Sequence, residues 1–192
     1  MAQKRLDEPE MYVGAHAGAI AGMVLFSPTV TQEALKCYLG ANAGLVYRYA
    51  GHKHCGFQME LNYMQRGWHE STTDYTRELN YLELPILAHF YFGKQYRFFF
   101  NLGPQIGYML YEKETNRPET ATYQYAAIDN RFDWGVSGSI GFYARTRAGV
   151  YQLETRFNYS LGTLYSNSMK DHFSMSNMMN LSLNFAYMWQ IK

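Results

Sequence analysis

The sequence predicts an all-β protein, an eight-stranded antiparallel up-and-down transmembrane β-barrel. Three observations predict it. Apolar and polar residues alternate with period two in segment after segment. The links between these segments alternate between tight and long. Aromatic residues make up 17% of the chain, and many of them sit near segment ends.

The alternation is clearest in three places. Phe57, Met59, Leu61 and Tyr63 interleave with Gln58, Glu60, Asn62 and Met64. Tyr151, Leu153, Thr155, Phe157 and Tyr159 interleave with Gln152, Glu154, Arg156, Asn158 and Ser160. Near the C-terminus, Leu181, Leu183, Phe185, Tyr187, Trp189 and Ile191 form the apolar row. Weaker versions cover residues 12–24, 39–49 and 132–144. The long apolar stretch 81–110 resolves into two more strands. One carries Leu82, Leu84, Ile86, Ala88, Phe90 and Phe92 on one face; the other carries Phe98, Phe100, Leu102, Pro104, Ile106, Tyr108 and Leu110. A three-residue loop at 93–95, closing Phe92 onto Tyr96, keeps both rows on one side, whereas a two-residue loop would not. Pro85 and Pro104 each remove a ladder donor, so a local bulge is expected at each.

The links near 51–54, 93–95 and 147–148 are tight, and those near 26–36, 67–79, 111–130 and 162–176 are long and polar. Short turns at one end and longer loops at the other are the layout of an outer-membrane barrel. An even strand count returns both termini to the short-turn end. Residues 1–10 read as a short periplasmic segment and residues 11–192 as the barrel. The charged start, "MAQKRLDEPE", has no apolar core of a signal peptide, and is expected to follow a signal already removed.

Alternation alone does not say which face is inside. A soluble ligand-binding barrel buries its apolar face; a membrane barrel shows it to lipid. The apolar rows run over about ten residues, the length a tilted strand needs to cross a bilayer. Aromatics gather near the short turns (Tyr47, Tyr49, Phe57, Phe90, Phe92, Phe98, Phe142, Tyr151, Trp189) and near the long loops (Tyr63, Tyr108, Trp134, Tyr159). Two such girdles mark membrane interfaces. The other face mixes small residues with charges of both signs: Glu60, Glu83, Arg97, Asp133, Arg145, Glu154 and Arg156. A narrow lumen is filled by such side chains, so these residues are expected to form a lumen charge network. Near-balanced charge, 17 Lys+Arg against 16 Asp+Glu, argues for no nucleic-acid partner. No apolar run reaches the ~18 residues of a membrane-spanning helix.

The stretch Tyr81-Leu82-Glu83-Leu84-Pro85, followed after a short turn by Gly103-Pro104 and then Gly107, resembles a hairpin of the PorT-like small outer-membrane barrels of Bacteroidota. The strand "FQMELNY" is similar to the one preceding it in that family. The resemblance implies an outer-membrane location and an association with type IX protein secretion.

Candidate chemistry is sparse. His52-Lys53-His54 lies in a tight turn and reads as polar rather than metal-binding. His69-Glu70-Ser71 holds the residue types of a hydrolase, but consecutive residues rarely converge as nucleophile, base and acid. His89 points inward and is expected in a lumen hydrogen-bond network. Cys37 and Cys55 fall at opposite ends of one hairpin, too far apart to bond. The expectation is a non-enzymatic scaffold or accessory of an envelope assembly, without cofactor or metal. A small-solute channel or ligand-binding barrel and a lipid-modifying enzyme stand as alternatives. The expected partners are the lipid bilayer and an envelope protein, the latter contacted through Arg117, Tyr123 and Tyr125 in the longest outer loop.

Overall fold

The computed structural model describes residues 5–27, 35–71, 74–116, 128, 130–164 and 175–191. Eight strands follow one another: β1 (Arg5–Ser27), β2 (Leu35–His52), β3 (Cys55–Glu70), β4 (Tyr75–Gly93), β5 (Tyr96–Thr115), β6 (Phe132–Thr146), β7 (Gly149–Ser160) and β8 (Met175–Gln190). Each pairs antiparallel with the next, and β8 returns to β1 to close the barrel. Closure leaves no sheet edge unpaired, which is what the interior of a bilayer demands.

The faces follow the alternation. Leu82, Ile86, Phe92, Leu102, Ile106, Leu153, Leu183 and Phe185 are exposed, while alternating neighbours such as Glu83, Leu87, Asn101, Gln105, Glu154 and Asn184 are buried. The outward row of β4 from Leu82 to Phe92 is ten steps of ~3.3 Å, which at a tilt of ~40° covers ~25 Å. That equals the apolar band of an outer-membrane barrel. The girdle aromatics named above are all exposed or half-buried, and several pack ring on ring, as Phe90 does on Phe100 at 4.7 Å.

Above the band the pattern inverts. Tyr75, Leu79 and Tyr81 of β4 are buried, while Thr76 and Glu78 are half-buried on the outer side. A bulge on β5 sits at this boundary: Tyr81 faces Met109 but Asn80 faces Tyr111, leaving Leu110 without a partner. The extra residue flips the phase of β5, so Glu112 and Glu114 turn to the interior side.

Five expectations change. β1 starts at Arg5, so part of the segment 1–10 belongs to the barrel. The link expected over 67–79 shrinks to 71–74, because β3 and β4 keep pairing past the membrane as far as Glu70 and Tyr75. Phe92 faces Phe98 instead of Tyr96, with the turn at Gly93 (φ +113°), a conformation glycine tolerates. Cys37 faces Trp68, because β2 carries a bulge between Cys37 and Asn42; both cysteines are free thiols, as expected. Neither proline makes a bulge. The ladder only thins beside each, between the pairs Met59–Ile86 and Asn62–Glu83, and between Pro85–Gln105 and Ala88–Leu102. A one-residue slip there would turn the whole Leu82–Phe92 row inward, and that outweighs one missing donor.

Candidate functional site

The lumen is packed in layers. Toward the short turns lies an aromatic cluster of Tyr12, Tyr91, Phe99 and Tyr143 with Val46, Val150 and Met188. Toward the loops lies a second, with Trp68, Tyr75, Leu79, Tyr81, Met109 and Met178. Charged groups lie between and around these clusters, and the alternation turns each of them inward.

The middle layer is a closed ring. Arg48 Nε donates to Gln58 Oε1 (2.7 Å), and Gln58 Nε2 donates to Glu60 Oε1 (2.5 Å). Arg156 grips Glu60 with both terminal nitrogens (2.5 Å each) and gives Nε to Glu154 Oε1 (2.7 Å). Gln152 Nε2 donates to Glu154 Oε2 (2.8 Å), and its carbonyl accepts from Arg48 Nη2 (2.5 Å). Two arginines, two glutamates and two glutamines thus bridge the lumen from β2 and β3 to β7, with formal charges cancelled. A buried charge is tolerable only when paired and hydrogen-bonded, and this ring supplies both. Arg48 also lies over the rings of Phe99 (5.5 Å) and Tyr143 (5.0 Å). His16 reaches Asn62 Oδ1 (2.8 Å) beside the ring. Gly44 makes that reach feasible, since a Cβ there would stand 2.8 Å from His16 Nε2.

Three further arginine sites lie along the lumen. Toward the loops, Arg66 pairs with Glu83 and with Asp133 (2.9 Å), and Ser160 also donates to Asp133 (2.7 Å). Above the bulge, Arg77 meets Glu112 (2.5 Å) and Glu114 (3.5 Å). At the short-turn end, Arg97 holds Glu10 bidentately (2.7 and 3.1 Å), and Arg145 reaches the same carboxylate (2.9 Å).

The predicted lumen residues are therefore all inward, but they fall into separate groups. Glu60, Glu154 and Arg156 share the ring; Glu83 and Asp133 share Arg66; Arg97 and Arg145 share Glu10. Sequence reasoning missed Arg48, Arg66, Arg77, Glu10 and the two glutamines. One signal was available: Gln-x-Glu recurs at inward positions 58–60 and 152–154. The predicted partner-contact residues Arg117, Tyr123 and Tyr125 lie outside the described residues.

The other candidates are engaged locally. His89 is fully buried and hydrogen-bonds Asn101 Oδ1 (2.6 Å), while Asn101 Nδ2 donates to Ser139 Oγ (2.9 Å), the lumen network expected of it. His69 turns to Thr76 Oγ1 (2.9 Å) while Glu70 is buried. His54 bonds the Tyr91 carbonyl (3.2 Å) and stacks on Phe92.

A closed eight-stranded barrel with a lipid-facing apolar band and a polar, filled lumen defines the class: an integral protein of the outer membrane. The chain belongs to the outer membrane protein beta-barrel domain family, whose model matches residues 1–166. Among solved structures it is similar to OprG of Pseudomonas aeruginosa (9% identity, TM-score 0.59, 97% of each chain covered). It is also similar to Neisserial surface protein A (13%, 0.52, 94% of this chain and 99% of that one). A third is AlkL in DMPC bilayers (11%, 0.51, 100% and 94%). At these identities the likeness is one of fold. No curated protein matches the chain.

Proposed function

We propose that this protein is a non-enzymatic scaffold or accessory of an outer-membrane assembly, acting through its surfaces rather than by conducting solutes. The observation that carries this reading is the hydrogen-bonded ring of Arg48, Gln58, Glu60, Arg156, Glu154 and Gln152. The gap beside it, bounded by His16, Val46, Asn184 and Ala186, has no volume a water molecule could occupy. Opening a path would mean leaving buried charges unpaired, a cost of ~3–5 kcal/mol per broken pair. The Tyr-Leu-Glu-Leu-Pro and Gly-Pro resemblance described above favours protein secretion of type IX as the process and kinship with the PorT-like barrels.

The test is genetic and physical together. Removing the gene is expected to reduce secretion of type IX cargo, and the full-length chain restores it. Replacing residues 117–124 by a Gly/Ser linker is expected to leave the barrel folded, since β5 ends before them at Thr115 and β6 starts after them at Phe132, and to abolish both the rescue and any cross-linked envelope partner. Normal secretion without the gene contradicts the reading; lipid deacylation by the purified protein would point to an enzyme instead.

A further inference from the structure

The short-turn end of the barrel holds an open cavity of about 810 Å³. Its size falls within the ~300–1,000 Å³ of ligand-holding clefts. In the orientation of this fold it opens to the periplasm. Its floor is the buried Tyr91, Val150 and Arg97, and above them the aromatic cluster and the ring close the lumen. It is a dead end, a place where something binds rather than passes.

Its charge is one-sided. Each of the three periplasmic turns presents an exposed cation to it: Lys53 between β2 and β3, Lys94 between β4 and β5, Arg147 between β6 and β7. Arg145 and Arg97 stand deeper, sharing the single carboxylate of Glu10. Among the described residues lining the cavity there is no aspartate or glutamate. A concave mouth with cations spread around its rim raises the local concentration of anions.

From this we propose that the periplasmic mouth is a docking site for an acidic peptide segment of a periplasmic protein, a second contact that rests on the scaffold reading above and is separate from the partner tested through residues 117–124. The cations stand on separate turns instead of converging on one point. Such spacing fits an extended chain with several carboxylates better than a single phosphate. The floor is walled by inward-facing residues of the lumen, away from the lipid leaflet, so a headgroup would have to leave the bilayer to fill it.

The experiment uses the full chain in phosphatidylcholine nanodiscs and a short fluorescent peptide alternating Glu and Ser. Saturable binding is expected, weakened at least about tenfold in the K53Q/K94Q/R147Q variant, as loss of rim charges predicts. Raising salt should weaken it further, since screening shortens from ~10 Å at 0.1 M to ~3 Å at 1 M. A Lys/Ser peptide should not bind. The substituted side chains are exposed, and heat-modifiable gel mobility verifies that the variant is folded. Equal binding of both peptides, or unchanged binding by the variant, overturns the proposal. So does displacement of the peptide by inorganic phosphate or by phosphatidylglycerol nanodiscs, which would assign the mouth to phosphate groups. Failure here with an intact loop-dependent secretion phenotype leaves the scaffold reading standing with its partner elsewhere. Specific peptide binding beside normal secretion in the absence of the gene sinks the scaffold reading and keeps the site.

Discussion

Glu60 on β3 and Arg156 on β7, 96 positions apart in the chain, meet across the lumen in a bidentate pair at 2.5 Å on both arms. β3 and β7 are not neighbours in the barrel, so the pair ties opposite walls together. Arg156 also holds Glu154 on its own strand, so one guanidinium serves two carboxylates. Arg156→Met would leave both acids buried without their cation. The expected loss is about 3–5 kcal/mol, read from the denaturation midpoint of the folded protein in detergent. Adding Glu60→Gln to that variant should recover much of the loss, because it leaves one buried acid, Glu154, balanced by Arg48 through Gln152. A double variant less stable than Arg156→Met alone would contradict this charge balance.

A second expectation concerns the outer wall. Leu183 is 54% exposed, near the middle of β8, and Asn184 beside it is buried at 2%. Leu183→Arg places a charge in the hydrocarbon and should cost about 2–4 kcal/mol in a lipid bilayer. Leu183→Phe should be close to neutral. Equal stability of the two variants would mean that this row does not face lipid.

Short turns at one end and longer links at the other set the orientation, and thiol labelling checks it. In a cysteine-free background, Asn116→Cys should react with a membrane-impermeant maleimide on intact cells, because Asn116 is exposed just beyond β5 at the loop end. Lys94→Cys, in a short turn at the opposite end, should react only after the outer membrane is opened. The reverse order of labelling would invert the barrel.

Much of this was legible in the residues. Period two assigned each strand's faces, so Leu82, Leu102 and Leu183 were placed outside and Glu60, Arg97 and Glu154 inside from the chain alone. Partners were not legible. Whether Arg156 meets Glu60 or Glu83 depends on strand tilt and on how far each side chain crosses the lumen, and alternation carries neither. The bulges were missed for a related reason. Leu110 continues an apolar row, and only the inward turn of Glu112 and Glu114 toward Arg77 reveals that the phase has changed there. The prolines misled because a lost donor is a local cost, whereas register is held by the whole apolar row. The inward aromatics Tyr91, Phe99 and Tyr143 were overlooked because polar lumens are expected to hold polar groups.

A sealed lumen is checked by single-channel recording in planar bilayers. The purified, folded protein should insert and produce no resolved conductance steps, because the ring of Arg48, Gln58, Glu60, Arg156, Glu154 and Gln152 and the aromatic layers on either side leave no continuous aqueous path. Reproducible, stable conductance steps from the folded wild-type chain would contradict the account and make the protein a channel.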